Sequence, residues 1–169
     1  YQYEVFLNLC KDIIGNDVRL YWDQAVYKKP GTKDEFPWHQ DNGYTFIEPQ
    51  AYLTCWIALT DTDETNGCPW VVPKLHQMGT LHHESTDLGY EIDLDDSDAV
   101  CLPLKAGSIA VFSSLTPHRT GPNMSENIRK SYILQYAPEG SERKISHSLS
   151  EPVNDKSRQF LILKDGKRA

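Results

Sequence analysis

Short apolar stretches recur at intervals of roughly ten residues, separated by Gly/Pro turns and with no helical pattern between them, and this spacing restricts the fold most. The first is a clean alternation: Leu20, Trp22, Gln24 and Val26 on one face, Tyr21, Asp23, Ala25 and Tyr27 on the other, closed by Pro30-Gly31. Further strands are expected at 51–59, 70–72, 99–104, 108–113 and 128–136, with turns at 61–67, 105–107 and 121–123. Such a series folds as an antiparallel sandwich or barrel. Only the opening residues read as a helix, through Val5, Phe6, Leu9, Ile13 and Ile14. Residues 31–50 and 74–98 read as long loops, the second ending in an acidic run at 93–98. Beyond Pro138 the text turns polar, so one domain is expected over 1–138, with 139–169 as a C-terminal surface arm. The chain opens on Tyr1 inside helical text, and the natural protein is expected to begin earlier.

The net charge of −7 argues against nucleic acid as a partner, because a phosphate-binding surface is normally basic. Cys10, Cys55, Cys68 and Cys101 lack Cys-x-x-Cys spacing and read as reduced thiols, as expected of a cytoplasmic protein. Neither a signal peptide nor an 18-residue apolar run is present, so no membrane partner is expected. The oligomeric state is not legible.

Of the six histidines, His39 stands two residues before Asp41. Residues i and i+2 of a strand point the same way, so this pair can reach one ion together. Two imidazoles and one carboxylate on one side of a metal leave three positions open, which suits iron(II) and dioxygen. The same spacing also fits a surface histidine beside a turn aspartate, and His82 with Glu84 is a rival pair in irregular text. His118 lies just after an apolar strand (109–112), and Arg129 opens the next one after a tight turn. A hairpin of that kind brings an imidazole and a guanidinium to one mouth, where the guanidinium can hold a carboxylate bidentately.

The blocks Trp38-His39-Gln40-Asp41-Asn42-Gly43-Tyr44, 53–59, Asn66-Gly67-Cys68-Pro69-Trp70-Val71-Val72-Pro73, 104–108 and Pro117-His118-Arg119-Thr120-Gly121-Pro122-Asn123 resemble the phytanoyl-CoA dioxygenase family. The resemblance covers about residues 20–138. It implies an all-β core, a double-stranded β-helix (jelly roll) with a flanking N-terminal helical segment, and an N-terminal part shorter than is usual. It implies an iron(II)- and 2-oxoglutarate-dependent dioxygenase that uses O2 to hydroxylate a C–H bond of a small-molecule or acyl-type substrate. Carried over by position, His39, Asp41 and His118 match the metal ligands. Arg129, eleven residues after His118, matches the arginine that pairs with the distal carboxylate of 2-oxoglutarate, and Thr120 a hydroxyl that supports it. Trp56 matches an aromatic wall beside the cosubstrate, and Gln24 a contact to cosubstrate or substrate. Halogenases of this fold lack the carboxylate ligand, so the presence of Asp41 favours hydroxylation. After Pro73 the family usually has Gly-Ser-His, whereas this chain has Lys74-Leu75-His76, which leaves His76 a structural role. Two alternatives stay open on the residues alone: a zinc hydrolase using the same three ligands, and a non-catalytic jelly-roll binding module.

Overall fold

The computed structural model describes all residues 1–169. The elements are α1 (Glu4–Ile13), β1 (Val18–Lys28), β2 (Phe36–His39), α2 (Asp41–Tyr44), β3 (Ile47–Glu48), β4 (Leu53–Ala58), β5 (Pro69–Val71), β6 (Glu84–Thr86) and β7 (Gly89–Glu91). They continue with β8 (Val100–Cys101), β9 (Ile109–Ser113), β10 (His118–Thr120), β11 (Arg129–Pro138), β12 (Glu142–Ser146), β13 (Leu149–Pro152), β14 (Leu161–Lys164) and β15 (Lys167–Arg168).

Eight of these strands make two facing antiparallel rows, β1-β11-β4-β9 and β2-β10-β5-β8. Counted in chain order the rows run first-eighth-third-sixth and second-seventh-fourth-fifth. That interleaving is the double-stranded β-helix, as the strand spacing and the resemblance lead one to expect. Because cross-strand partners share a face, the register separates the large sheet into two surfaces. Thr54, Trp56 and Ala58 of β4 line up with Gln135, Ile133 and Ser131 of β11 and with Trp22, Gln24 and Val26 of β1 on the inner face.

The outer face carries the main apolar core. Leu20, Leu53, Cys55, Leu134 and Tyr136 pack there against Phe6 and Cys10 of α1 and against Ile162 and Leu163 of β14. Each fully buried side chain of leucine size contributes about 1.5–3 kcal/mol, so α1 and β14 are what seal this side. The charges of α1 suit its dipole, with Glu4 in the first turn and Lys11 in the last. It stops at Gly15, whose φ of +139° an L side chain rarely adopts.

Three sequence expectations need correction. The alternation in β1 is interrupted by a bulge between Leu20 and Trp22, so Leu20 enters the outer core while Trp22 and Gln24 face inward. Residues 139–169, expected as a surface arm, are joined to the sheets: β12 pairs with β3, and β14 pairs with β1 and buries Ile162 and Leu163. The scattered Val153, Ile162 and Leu163 hide this in a polar stretch, and it takes the β1 edge to make their burial possible. Finally, short helical turns do intervene, at α2 and at Leu75–Met78. The unusual Lys74 starts the latter with a left-handed φ of 70°, a conformation that favours glycine.

Candidate active site

β2 ends at His39, and the backbone passes through extended Gln40 straight into α2, whose first residue is Asp41. The two ligands are therefore not i and i+2 of one strand, as the spacing predicts. A strand end that breaks into a helical turn gives the same reach. Fully buried Gln40 holds that break in place by donating to the carbonyls of Leu115 and Gly79 and accepting from the Leu81 amide. His118, the first residue of β10, lies directly opposite His39 in the small sheet, with ring centroids 4.1 Å apart.

One ligand atom from each of His39, Asp41 and His118 lies within 4.8 Å of the others. Each imidazole is aimed by its own backbone, His39 Nδ1 on the Pro37 carbonyl at 2.8 Å and His118 Nδ1 on the Thr116 carbonyl at 3.0 Å. With Nδ1 protonated and donating, Nε2 keeps its lone pair for a metal. His118 Nε2 faces Asp41 Oδ1 at 3.8 Å, while Asp41 Oδ2 accepts from the Thr54 hydroxyl at 2.5 Å. Burial, then the neighbouring His118, pushes the pKa of His39 well below the ordinary histidine range, so its ring is neutral at pH 7. Two imidazole nitrogens and one carboxylate oxygen fit a divalent transition metal such as iron(II). The rings of Phe36 and Tyr44 stand edge-on to His39 at 4.7 and 5.3 Å, and both are part-exposed.

At the other end of the inner face lies Arg129, only 1% exposed. One guanidinium nitrogen donates to Ser131 Oγ at 2.7 Å, the plane lies 5.3 Å from the Trp56 ring, and buried Nε has no partner. Burial lowers its pKa to about 10. Its cross-strand partner is Lys28, whose ammonium donates to the Gly121 carbonyl at 2.5 Å and to Thr120 Oγ1 at 3.4 Å. Burial, then the charge of Arg129, lowers Lys28 to about 8. Neither cation has a carboxylate partner in the chain. Buried like charges of this kind are favourable only when an anion joins them.

The structure thus brings His39, Asp41 and His118 together, and separately Arg129, Thr120 and Trp56. Gln24 shares the inner face, opposite Ile133 and Trp56, but it is exposed and its one side-chain hydrogen bond is accepted from Trp22. His82 and Glu84, the rival pair, are both exposed and join no third ligand. His76 is part-buried in the turn after Lys74, away from the ligand cluster. Two residues escaped the sequence reading. Thr54 left no signal, whereas Lys28 continues the Trp22, Gln24, Val26 alternation by one more step. A surface groove of about 850 Å³, lined by Trp38, Asp96 and Arg119 among others, includes none of these residues.

Residues 1–131 match the family model described as phytanoyl-CoA dioxygenase (PhyH). Phytanoyl-CoA dioxygenase of Arabidopsis thaliana is 32% identical over 64% of this chain and 41% of its own length. Methylphosphonate hydroxylase of Gimesia maris is 33% identical over 73% of this chain and 47% of its own. The chain therefore spans less than half of either relative. Among solved structures, EvdO2 of Micromonospora carbonacea var. aurantiaca complexed with 2-oxoglutarate is 26% identical, with a TM-score of 0.68 over 88% of this chain and 60% of that one. The apo non-heme monooxygenase ThoJ is 24% identical, with a TM-score of 0.77 over 92% of this chain and 60% of that one, a likeness of fold.

Proposed function

The chain belongs to the phytanoyl-CoA dioxygenase family, and from that premise we propose that it is the catalytic body of an iron(II)- and 2-oxoglutarate-dependent oxygenase. His39, Asp41 and His118 would hold the iron, which when bound supplies the open positions where the keto acid and O2 meet and the oxidising power for hydroxylation. One observation carries the reading beyond the metal: buried Arg129 and part-buried Lys28 stand as cross-strand neighbours, neither in an ion pair, on the inner face whose Thr54 bonds Asp41. A zinc hydrolase or an inert jelly roll has no use for these two cations.

The chain's own residues divide the work. Thr54 fixes one oxygen of Asp41, so the other faces the imidazoles. The Arg129 fork receives the distal carboxylate, since its Nε is free to donate. Lys28 donates to Thr120 Oγ1, which leaves the Thr120 hydroxyl proton free to donate to the same carboxylate. Trp56 covers the guanidinium and keeps water from it. Part-exposed Phe36 and Tyr44 form the substrate side beside His39.

The substrate is a small molecule. Relatives with named substrates range from phytanoyl-CoA to methylphosphonate, so selection falls to the loops 31–50 and 74–98. Reduced thiols and the absence of any helix long and apolar enough to cross a membrane fit a cytoplasmic setting. The test is anaerobic calorimetric titration of 2-oxoglutarate into the manganese(II)-loaded protein, followed by a succinate assay in air with iron(II). Binding that requires Arg129, with iron-dependent succinate release, supports the proposal. Hydrolytic activity with zinc and no 2-oxoglutarate binding would overturn it.

A further inference from the structure

We infer that Cys68 and Cys101 form a redox pair that closes reversibly to a disulfide directly behind the cosubstrate end of the site. Their sulfurs already stand 3.0 Å apart as free thiols, and closing them to a bond of ~2.05 Å asks for a movement of only about 1 Å. The two backbones are held side by side. Cys101 pairs next to Trp70 in β8 and β5, and the Leu102 amide donates to the Pro69 carbonyl at 2.8 Å. The pair is asymmetric in access: Cys68 is fully buried and Cys101 is part-exposed. By contrast, Cys10 and Cys55 are both sealed in the main core, away from solvent.

The co-reactant is a low-molecular-weight disulfide such as oxidised glutathione. Cys101 loses its proton, and its thiolate attacks one sulfur of that disulfide, releasing one thiolate and leaving a mixed disulfide on Cys101. Cys68, deprotonated in turn, attacks the Cys101 sulfur and expels the second thiolate. The protein loses two protons and two electrons, and the small disulfide is reduced to two thiols. Burial raises both thiol pKa values, and the Glu64 and Asp63 carboxylates facing them act in the same direction, so exchange with the small disulfide is slow.

Closure has a route to the site. Cys68 follows Gly67, where a Cβ would meet the Gly121 carbonyl at 2.5 Å and Lys28 Cδ at 3.2 Å. A shift of Cys68 therefore presses on Gly121 and Lys28, the groups beside Thr120 and Arg129. This linkage rests on the proposed cosubstrate site.

The experiment treats the folded protein with oxidised glutathione, then denatures and alkylates it for mass spectrometry. Two of the four thiols, Cys10 and Cys55, should remain alkylatable, with a Cys68–Cys101 cross-linked peptide that a reductant dissolves. Cys101→Ser should keep its three thiols under the same treatment. Four alkylatable thiols after treatment, or a stable mixed disulfide on Cys101, would overturn the pair. Oxidised manganese(II) protein should bind 2-oxoglutarate about ten- to a hundred-fold more weakly than reduced protein, and equal affinities would overturn the linkage. If the reduced protein bound none, the proposed function would fall, while the thiol result would stand or fall by itself.

Discussion

The two ends of the inner face solve opposite electrostatic problems. Where His39, Asp41 and His118 meet, the imidazoles are tied to backbone carbonyls and the single carboxylate is tied to Thr54. Where Lys28 and Arg129 meet, two cations lie side by side and neither forms an ion pair with a carboxylate. The first end gathers two imidazoles and one carboxylate, and the second gathers two cations whose polar contacts within the chain go only to neutral oxygens. The contrast teaches that a single face can be read as two sites of opposite sign, and that each should fail separately when mutated.

Removing a ligand should break the first end completely. His39→Ala or His118→Ala leaves two protein ligands, and stoichiometric iron(II) binding, read by metal analysis after gel filtration, should be lost. An intact iron content in either variant would remove that histidine from the site. The next largest effect belongs to the second end. Truncating one partner of a buried charge pair costs about 2–5 kcal/mol, so Arg129→Ala should weaken 2-oxoglutarate by about thirty- to several thousand-fold. Iron content should not change, and that independence is the sharpest check on the two-site picture.

Thr54→Val tests the support behind the metal end. Loss of the hydrogen bond to Asp41 Oδ2 should reduce metal affinity about ten- to a hundred-fold, with the fold kept, because the two side chains are nearly isosteric. Competition against a fluorescent chelator measures it, and wild-type affinity would show that Asp41 needs no such partner. The smallest effect is expected at Lys28. Its pKa of about 8 in the free protein should rise when an anion binds, so its contribution is complete below pH 8 and is lost as pH rises from there through the higher pKa of the complex. Affinity for 2-oxoglutarate should fall several-fold between about pH 7 and 9, while Arg129, at about 10, stays charged. In Lys28→Met that slope should vanish. A slope that persisted would assign the titration to another group.

Much of this was legible before any coordinates. The strand spacing pointed to the jelly roll, and the family blocks pointed to His39, Asp41, His118 and Arg129. What escaped did so for local reasons. The bulge after Leu20 reverses which β1 side chains face inward, and no residue at that point announces it. Asp41 lies on a helical turn, so His39 and Asp41 come together by a geometry other than the one the spacing argument assumed. Residues 139–169 are polar on average, yet Ile162 and Leu163 are buried.

The division has a physical basis. Period-two patterning, turn residues and chemically distinctive side chains are properties of short stretches, so the sequence alone determined the fold class and the kinds of ligand available. Charge compensation is a property of space. That Thr54 belongs to Asp41, that Lys28 lies against Arg129 with no ion-pair partner, and that Cys68 touches Cys101 depend on the fold bringing together segments 13, 101 and 33 residues apart. Only the tertiary structure could decide these, because cross-strand contacts are set by the alignment of whole strands rather than by the residues that happen to touch.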